Sequence, residues 1–211
     1  CIRDRDLDVP GDFSSASFFL LYGMLRDGGE PLVLRDVGLN PTRTGLLPVL
    51  ERMGGKVLVE PRAGSGEGEP SGDLNVYPSE LTGTHLGQEE IPGLIDEIPI
   101  LAVGAARARG TSRITGASEL RVKETDRIRA VVGNLRAIGV EAEELSDGME
   151  IQGTDGPLKG RVQTFGDHRI AMAFGVLGAL PGNEIEFDEK DVAGVSFPGF
   201  WELLKRTAQQ A

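Results

Sequence analysis

Three stretches of the chain are apolar at nearly every position rather than along one face: FSSASFFLLYGML from Phe13, IPILAVGAA from Ile98 and RIAMAFGVLGAL from Arg169. A helix that is apolar all round has no side to give to water, so these stretches predict three helices at the centre of the molecule, with Phe18, Leu101 and Met172 buried. The strand-like segments behave oppositely. Glu184-Ile185-Glu186-Phe187-Asp188 alternates polar and apolar residues with period two, the pattern of a sheet wet on one face, and Glu186 is expected outside. Sheets outside and helices inside is the architecture these two patterns imply.

The apolar helices also share a plan. Each follows an acid (Asp12, Asp96, Asp167) and leads through a turn glycine (Gly28, Gly110, Gly182) into a short strand. A second helix follows, and Leu50-Glu51-Arg52-Met53-Gly54 aligns with Leu135-Arg136-Ala137-Ile138-Gly139, both ending at a glycine as a left-handed C-terminal cap requires. SFPGFWELLKR supplies the third copy. The expected fold class is α/β (α+β): one domain over 1–211, with three strand-helix-strand-helix-strand units at about 9–92, 93–163 and 164–211. The run RAGSGEGEPSG, from Arg62 to Gly72, reads as a loop or hairpin tip.

Composition narrows the function classes. The chain has 211 residues, and its 22 Lys plus Arg against 33 Asp plus Glu give a net charge of −11, which repels a polyanion unless cations gather locally. Nucleic acid is therefore not an expected partner, and neither is a membrane, because the longest apolar stretches, around Phe18 to Leu21 and Ile170 to Leu180, fall short of the roughly 18 residues a span requires. The single cysteine, Cys1, cannot form an internal disulfide, and neither a metal-ligand cluster nor a secretory signal is visible, so a cytoplasmic protein without metal or other cofactor is expected. The start at Cys1, without an initiator Met, suggests a piece of something longer.

Two clusters hold most of the candidate chemistry. In RVKETDR, Arg121 to Arg127, a helix beginning near Glu124 puts Lys123 and Arg127 four residues apart on one side, at a helix entrance that favours anions. The competing reading is a solvated helix laced with ion pairs. GDHR, Gly166 to Arg169, opens an apolar helix: Asp167 suits an N-cap, and Arg169 needs an anionic partner, from the protein or from a ligand. His168 reads equally as an acid-base group or a hydrogen-bonded core imidazole. Asp96 suits a cap, yet Pro99 already favours helix initiation and Glu97 serves the helix dipole, which leaves Asp96 available as a base if it reaches a substrate hydroxyl. Ser14, Ser15 and Ser17 read as capping and packing residues, and Arg43 as structural.

VPGDFSSASFFL, VGLNPTRTG, LIDEIPILAVGAA, ELRVKETDRI, GDHRIAMAF and VSFPGFWELL together, in this order, resemble the 5-enolpyruvylshikimate-3-phosphate synthase family. The resemblance implies the carboxyl-terminal half of a two-domain enolpyruvyl transferase, with the inside-out barrel of that family and an absent amino-terminal domain as partner. It implies transfer of the enolpyruvyl group of phosphoenolpyruvate to the 5-hydroxyl of shikimate 3-phosphate, in the shikimate pathway of aromatic amino acid biosynthesis, with release of phosphate. By motif match Asp96 accepts the hydroxyl proton, and Glu124 protonates and later deprotonates the methyl carbon. Lys123 contacts shikimate 3-phosphate, and Arg127 and Arg169 hold phosphoenolpyruvate. His168, Asp167 and Glu119 complete the expected substrate-binding set. Where some members carry a phosphoenolpyruvate-contacting lysine, this chain has Val195. Because part of the family's site lies in the other domain, the isolated chain is expected to be inactive. Two alternatives remain open: the related transferase acting on UDP-N-acetylglucosamine, and a non-catalytic anion-binding module of the same fold.

Overall fold

The computed structural model describes residues 9–62 and 69–209. Cys1 and positions 63–68 of the glycine-rich run lie outside the described residues. The chain folds as α1 (Phe13–Leu25), β1 (Leu32–Gly38), α2 (Leu46–Arg52), β2 (Lys56–Pro61), β3 (Ser71–Tyr77), β4 (His85–Leu86), α3 (Ile98–Arg107), β5 (Thr111–Ile114), α4 (Arg127–Ala137), β6 (Ala142–Leu145), β7 (Gly148–Gln152), β8 (Lys159–Val162), α5 (His168–Gly178), β9 (Glu184–Phe187) and α6 (Phe200–Ala208). Short 3-10 turns precede α3, α4 and α6.

The three uniformly apolar helices are α1, α3 and α5, and each packs against the other two. In α3 every residue but Arg107 is buried, and in α5 only His168, Arg169 and Gly178 escape burial. Phe18, Leu101 and Met172 are all buried, in one continuous core. Placing three such helices in mutual contact removes apolar surface on all sides of each, worth about 25 cal/mol per Å².

Three small sheets lie around this centre. The first is antiparallel in the order β1-β3-β2, the second runs β4-β5-β7-β6, and the third pairs β8 with β9 in parallel. β9 alternates exposed and half-buried positions, with Glu186 exposed. The expected divisions after residues 92 and 163 fall between strands that pair, because β4 hydrogen-bonds to β5 and β8 to β9. Strand pairing in these two sheets thus draws in the segment just before each division. The turn glycines Gly28, Gly110 and Gly182 all have positive φ, as do Gly54 and Gly139 at the ends of α2 and α4, conformations open to glycine without a side-chain clash. Among the described residues no helix is long and apolar enough to cross a membrane.

Candidate active site

The charged residues singled out in the sequence meet where α3, α4 and α5 begin. Asp167 is the N-cap of α5, with Oδ1 accepting from the Arg169 backbone N–H at 2.9 Å. It has no exposed surface, and its Oδ2 accepts from Arg127 Nε at 2.7 Å. Arg127 is 1% exposed and spends its guanidinium on three carboxylates: Asp167, Glu124 (Nη2 to Oε2, 2.5 Å) and Asp96 (Nη1 to Oδ1, 3.4 Å). A buried guanidinium must be neutralised and hydrogen-bonded, and this one is.

α4 does not begin near Glu124. It starts at Arg127, with the Asp126 side chain accepting from the Arg129 N–H as cap. Residues Ser118–Val122 form a 3-10 turn, and Lys123 and Glu124 lie in the bend between the two. Arg121 anchors this segment, donating to Asp126 and Glu144 and to the carbonyls of Leu145 and Ser146. These long-range bonds outweigh the local helical propensity of KETDR. The bend lets Lys123 reach Asp96 (3.6 Å) as well as Glu119 (3.2 Å), whose side chain is 66% exposed.

Asp96 behaves unlike the other two helix-opening acids. Asp12 caps α1 through the Ser15 N–H, but Asp96 sits in the 3-10 turn Ile95–Glu97 and caps nothing. The N-cap of α3 is Glu97, without a side-chain cap bond, and Pro99 at the second helical position has no N–H to offer. Asp96 instead faces Arg169 (3.7 Å), Lys123 and Arg127. Burial pushes its carboxyl up, but these three cations outweigh burial and hold it below the usual carboxylate value. His168, the first residue of α5, is pushed down by burial against the opposing pull of Asp167. Asp167 and Arg127, expected to face substrate, are thus buried in this structure and engaged with protein groups. Asp96, Lys123, Glu124, His168 and Arg169 keep exposed surface in front of them. Val195 lies 80% exposed just before the last helix.

Glu97 is the residue that reasoning from the sequence missed. It is 3% exposed, its Oε1 accepts from Ser14 Oγ at 2.5 Å, and Arg169 Nη1 lies 3.6 Å away. Arg43 donates from Nη2 to the same Ser14 hydroxyl at 3.2 Å. The signal available was two adjacent acids at a helix entrance that needs one, but the partner Ser14 is 83 residues distant. Among the described residues, no group of three or more His, Cys, Asp or Glu side chains is arranged to hold a metal ion.

Such a cluster of cations and carboxylates at converging helix entrances can hold an anion and move protons beside it. Residues 2–204 match the family model for EPSP synthase (3-phosphoshikimate 1-carboxyvinyltransferase). The chain belongs to the EPSP synthase family. Among curated family members, the 3-phosphoshikimate 1-carboxyvinyltransferase of Thermus thermophilus is 51% identical over 203 residues, 96% of this chain and 46% of its own length. That of Leptospira biflexa is 46% identical over 93% of this chain, again 46% of its own length. The solved EPSP synthase of Acinetobacter baumannii superposes with a TM-score of 0.87 at 37% identity, covering 95% of this chain and 46% of the larger one. The enolpyruvyl transferase NikO of Streptomyces tendae, at TM-score 0.60 and 16% identity, shares the fold. The chain therefore spans about half the length of the EPSP synthases it matches.

Proposed function

We propose that this chain is the carboxyl-terminal half of a cytoplasmic enzyme that transfers the enolpyruvyl group of phosphoenolpyruvate to the 5-hydroxyl of shikimate 3-phosphate, releasing phosphate. The observation that carries this reading is the meeting of Asp96, Lys123, Glu124, Arg127 and Arg169 at the starts of three helices. An amino-terminal domain supplies the opposite wall and the remaining cations. Within this half, three repeated units divided near residues 92 and 163 turn their apolar helices inward, and the pairing of β4 with β5 and of β8 with β9 ties neighbouring units together across each division.

In the addition step, the 5-hydroxyl oxygen bonds to C2 of phosphoenolpyruvate, its proton passes to Asp96, and C3 takes a proton from Glu124. In the elimination step, Glu124 removes a proton from the new methyl group, the C2–O bond to phosphate breaks, and the departing phosphate oxygen takes the proton held by Asp96. Lys123 and Arg169 hold the anions, and Arg127 joins them where Asp96 or Glu124 yields its hold. An Asp96 held low by three cations is a weak base on its own. Two anionic substrates engaging Lys123 and Arg169 neutralise those cations and raise its basicity when a proton must be taken.

The test is reconstitution. Neither half alone should release phosphate from the two substrates, because differential transition-state binding needs both walls. Mixing or fusing this chain with the amino-terminal half of the Thermus thermophilus relative should restore release. A complex that assembles and binds both substrates without turnover would refute the proposal.

A further inference from the structure

Arg169 is held from behind. Its Nη1 donates to the Asp96 backbone carbonyl at 3.0 Å and lies 3.6 Å from Glu97, whereas Nη2 has only the looser contact with Asp96 Oδ2 at 3.7 Å. The guanidinium thus has a committed inner edge and an available outer edge. Its side chain is 16% exposed, while that of Glu97 is 4% exposed. The same Glu97 Oε1 accepts a hydrogen bond from the Ser14 hydroxyl on α1, which Arg43 also contacts. Two elements distant in sequence, α1 through Ser14 and α5 through Arg169, therefore meet at one buried carboxylate behind the cluster.

We infer that Glu97 is the positioning residue for Arg169, fixing the inner edge of the guanidinium so that the outer edge is presented to the anionic substrate, and that its charge sets the pH dependence of anion binding there. This rests on the anion-site reading above and adds a residue to it. The groups facing Glu97 are Asp96 on its own turn, Ser14 on α1, Arg43 before α2 and Arg169 on α5. Burial pushes its carboxyl up, against the opposing Ser14 hydrogen bond and the Arg169 charge. When protonated, Glu97 leaves the full charge of Arg169 to the ligand. When ionised, it competes with the ligand for that charge, so affinity falls as pH rises through its titration.

Sulfate tests this on the 211-residue chain, because its charge is constant over the range in which Glu97 titrates. Affinity is read by NMR titration of wild type, Glu97→Gln, Glu97→Ala and Ser14→Ala, with backbone spectra confirming the fold of each. Glutamine keeps an oxygen for Ser14 and Arg169 but no charge. It should bind sulfate about tenfold tighter than wild type near about pH 8, with the advantage vanishing towards about pH 4. His168 titrates in all the variants, so its contribution cancels in the ratio. Alanine lacks both charge and oxygen and should bind about tenfold weaker than glutamine at every pH, equivalent to about 1.4 kcal/mol. Should the alanine variant fail to fold, Ser14→Ala, which keeps the charge and removes the anchor, should still weaken sulfate binding. A Glu97→Gln profile parallel to wild type, or alanine and serine variants that bind as well as the glutamine variant and wild type respectively, overturns the inference. Sulfate binding unchanged in Arg169→Gln overturns the anion-site reading itself, and this one with it.

Discussion

The acids that open α3 and α5 occupy matching places in the sequence and meet opposite fates. Asp167 is spent twice, on the N-terminus of its helix and on the Arg127 guanidinium, and has no surface left. Asp96 caps nothing and keeps a 35% exposed side chain, turned toward three cations. The difference traces to Pro99, which removes an N–H that a cap would bond, and to the extra 3-10 turn that moves Asp96 two residues ahead of its helix. Capping consumes a carboxylate, and a proline at the second helical position leaves this one uncapped and turned toward the cations.

The contrast predicts that the two residues separate activity from stability. In the reconstituted enzyme, Asp96→Asn should cost about 10²–10⁴ in turnover while the domain melts nearly as wild type, measured by phosphate release and by calorimetry. Asp167→Asn should act mainly on stability: stripping Arg127 of its closest buried partner should destabilise by about 3 kcal/mol, lowering the melting temperature by about 10 °C in a domain of this size. Equal losses of stability in both variants would erase the distinction.

A subtler test uses pH. Asp96 is held low, so its contribution to stability is present above the unfolded-state pKa and disappears as pH falls through the folded one. Glu97, the next residue, is pushed up, so its contribution is present at low pH and is lost as pH rises through its folded pKa. Relative to wild type, Asp96→Asn should therefore become less stable with rising pH and Glu97→Gln more stable. Melting curves taken from about pH 2 to about pH 7 should show slopes of opposite sign for these neighbours, that of Asp96→Asn on the acid side of about pH 4 and that of Glu97→Gln above it. The smallest effect belongs to the periphery. Glu80→Gln, which removes the 2.9 Å pair with Arg109 between side chains 77% and 74% exposed, should cost less than about 1 kcal/mol in the same melts.

What was legible in the sequence follows physical range. Caps at Asp12 and Asp167 depend on backbone groups two or three residues away, and the glycine ends of α2 and α4 depend on one φ angle, so local pattern sufficed. Burial of α1, α3 and α5 was legible because a helix without a polar face has one option. The start of α4 was not, since Arg121 holds the preceding bend through Glu144, Leu145 and Ser146, more than 20 residues onward, and these contacts leave no trace in KETDR. Glu97 was hidden for the same reason, its hydroxyl partner lying on a different helix. In the cluster itself, sequence pattern flagged which residues matter for charge but not which of them are buried behind the others.

The link between Arg127 and its partners also orders events in time. Its carboxylates at Asp96 and Asp167 stand 31 and 40 residues away, so the hub closes only after long segments have found one another, and loop closure on that scale is slow compared with forming the helices. A newly synthesised chain can therefore wind α3, α4 and α5 and begin to collapse while their entrances remain apart. In that interval Arg127 lacks its two distant partners, Asp96 and Asp167, and the charged cluster has not assembled. This cluster is among the last things the folding chain acquires, and the first that partial unfolding of any one of the three helices takes away.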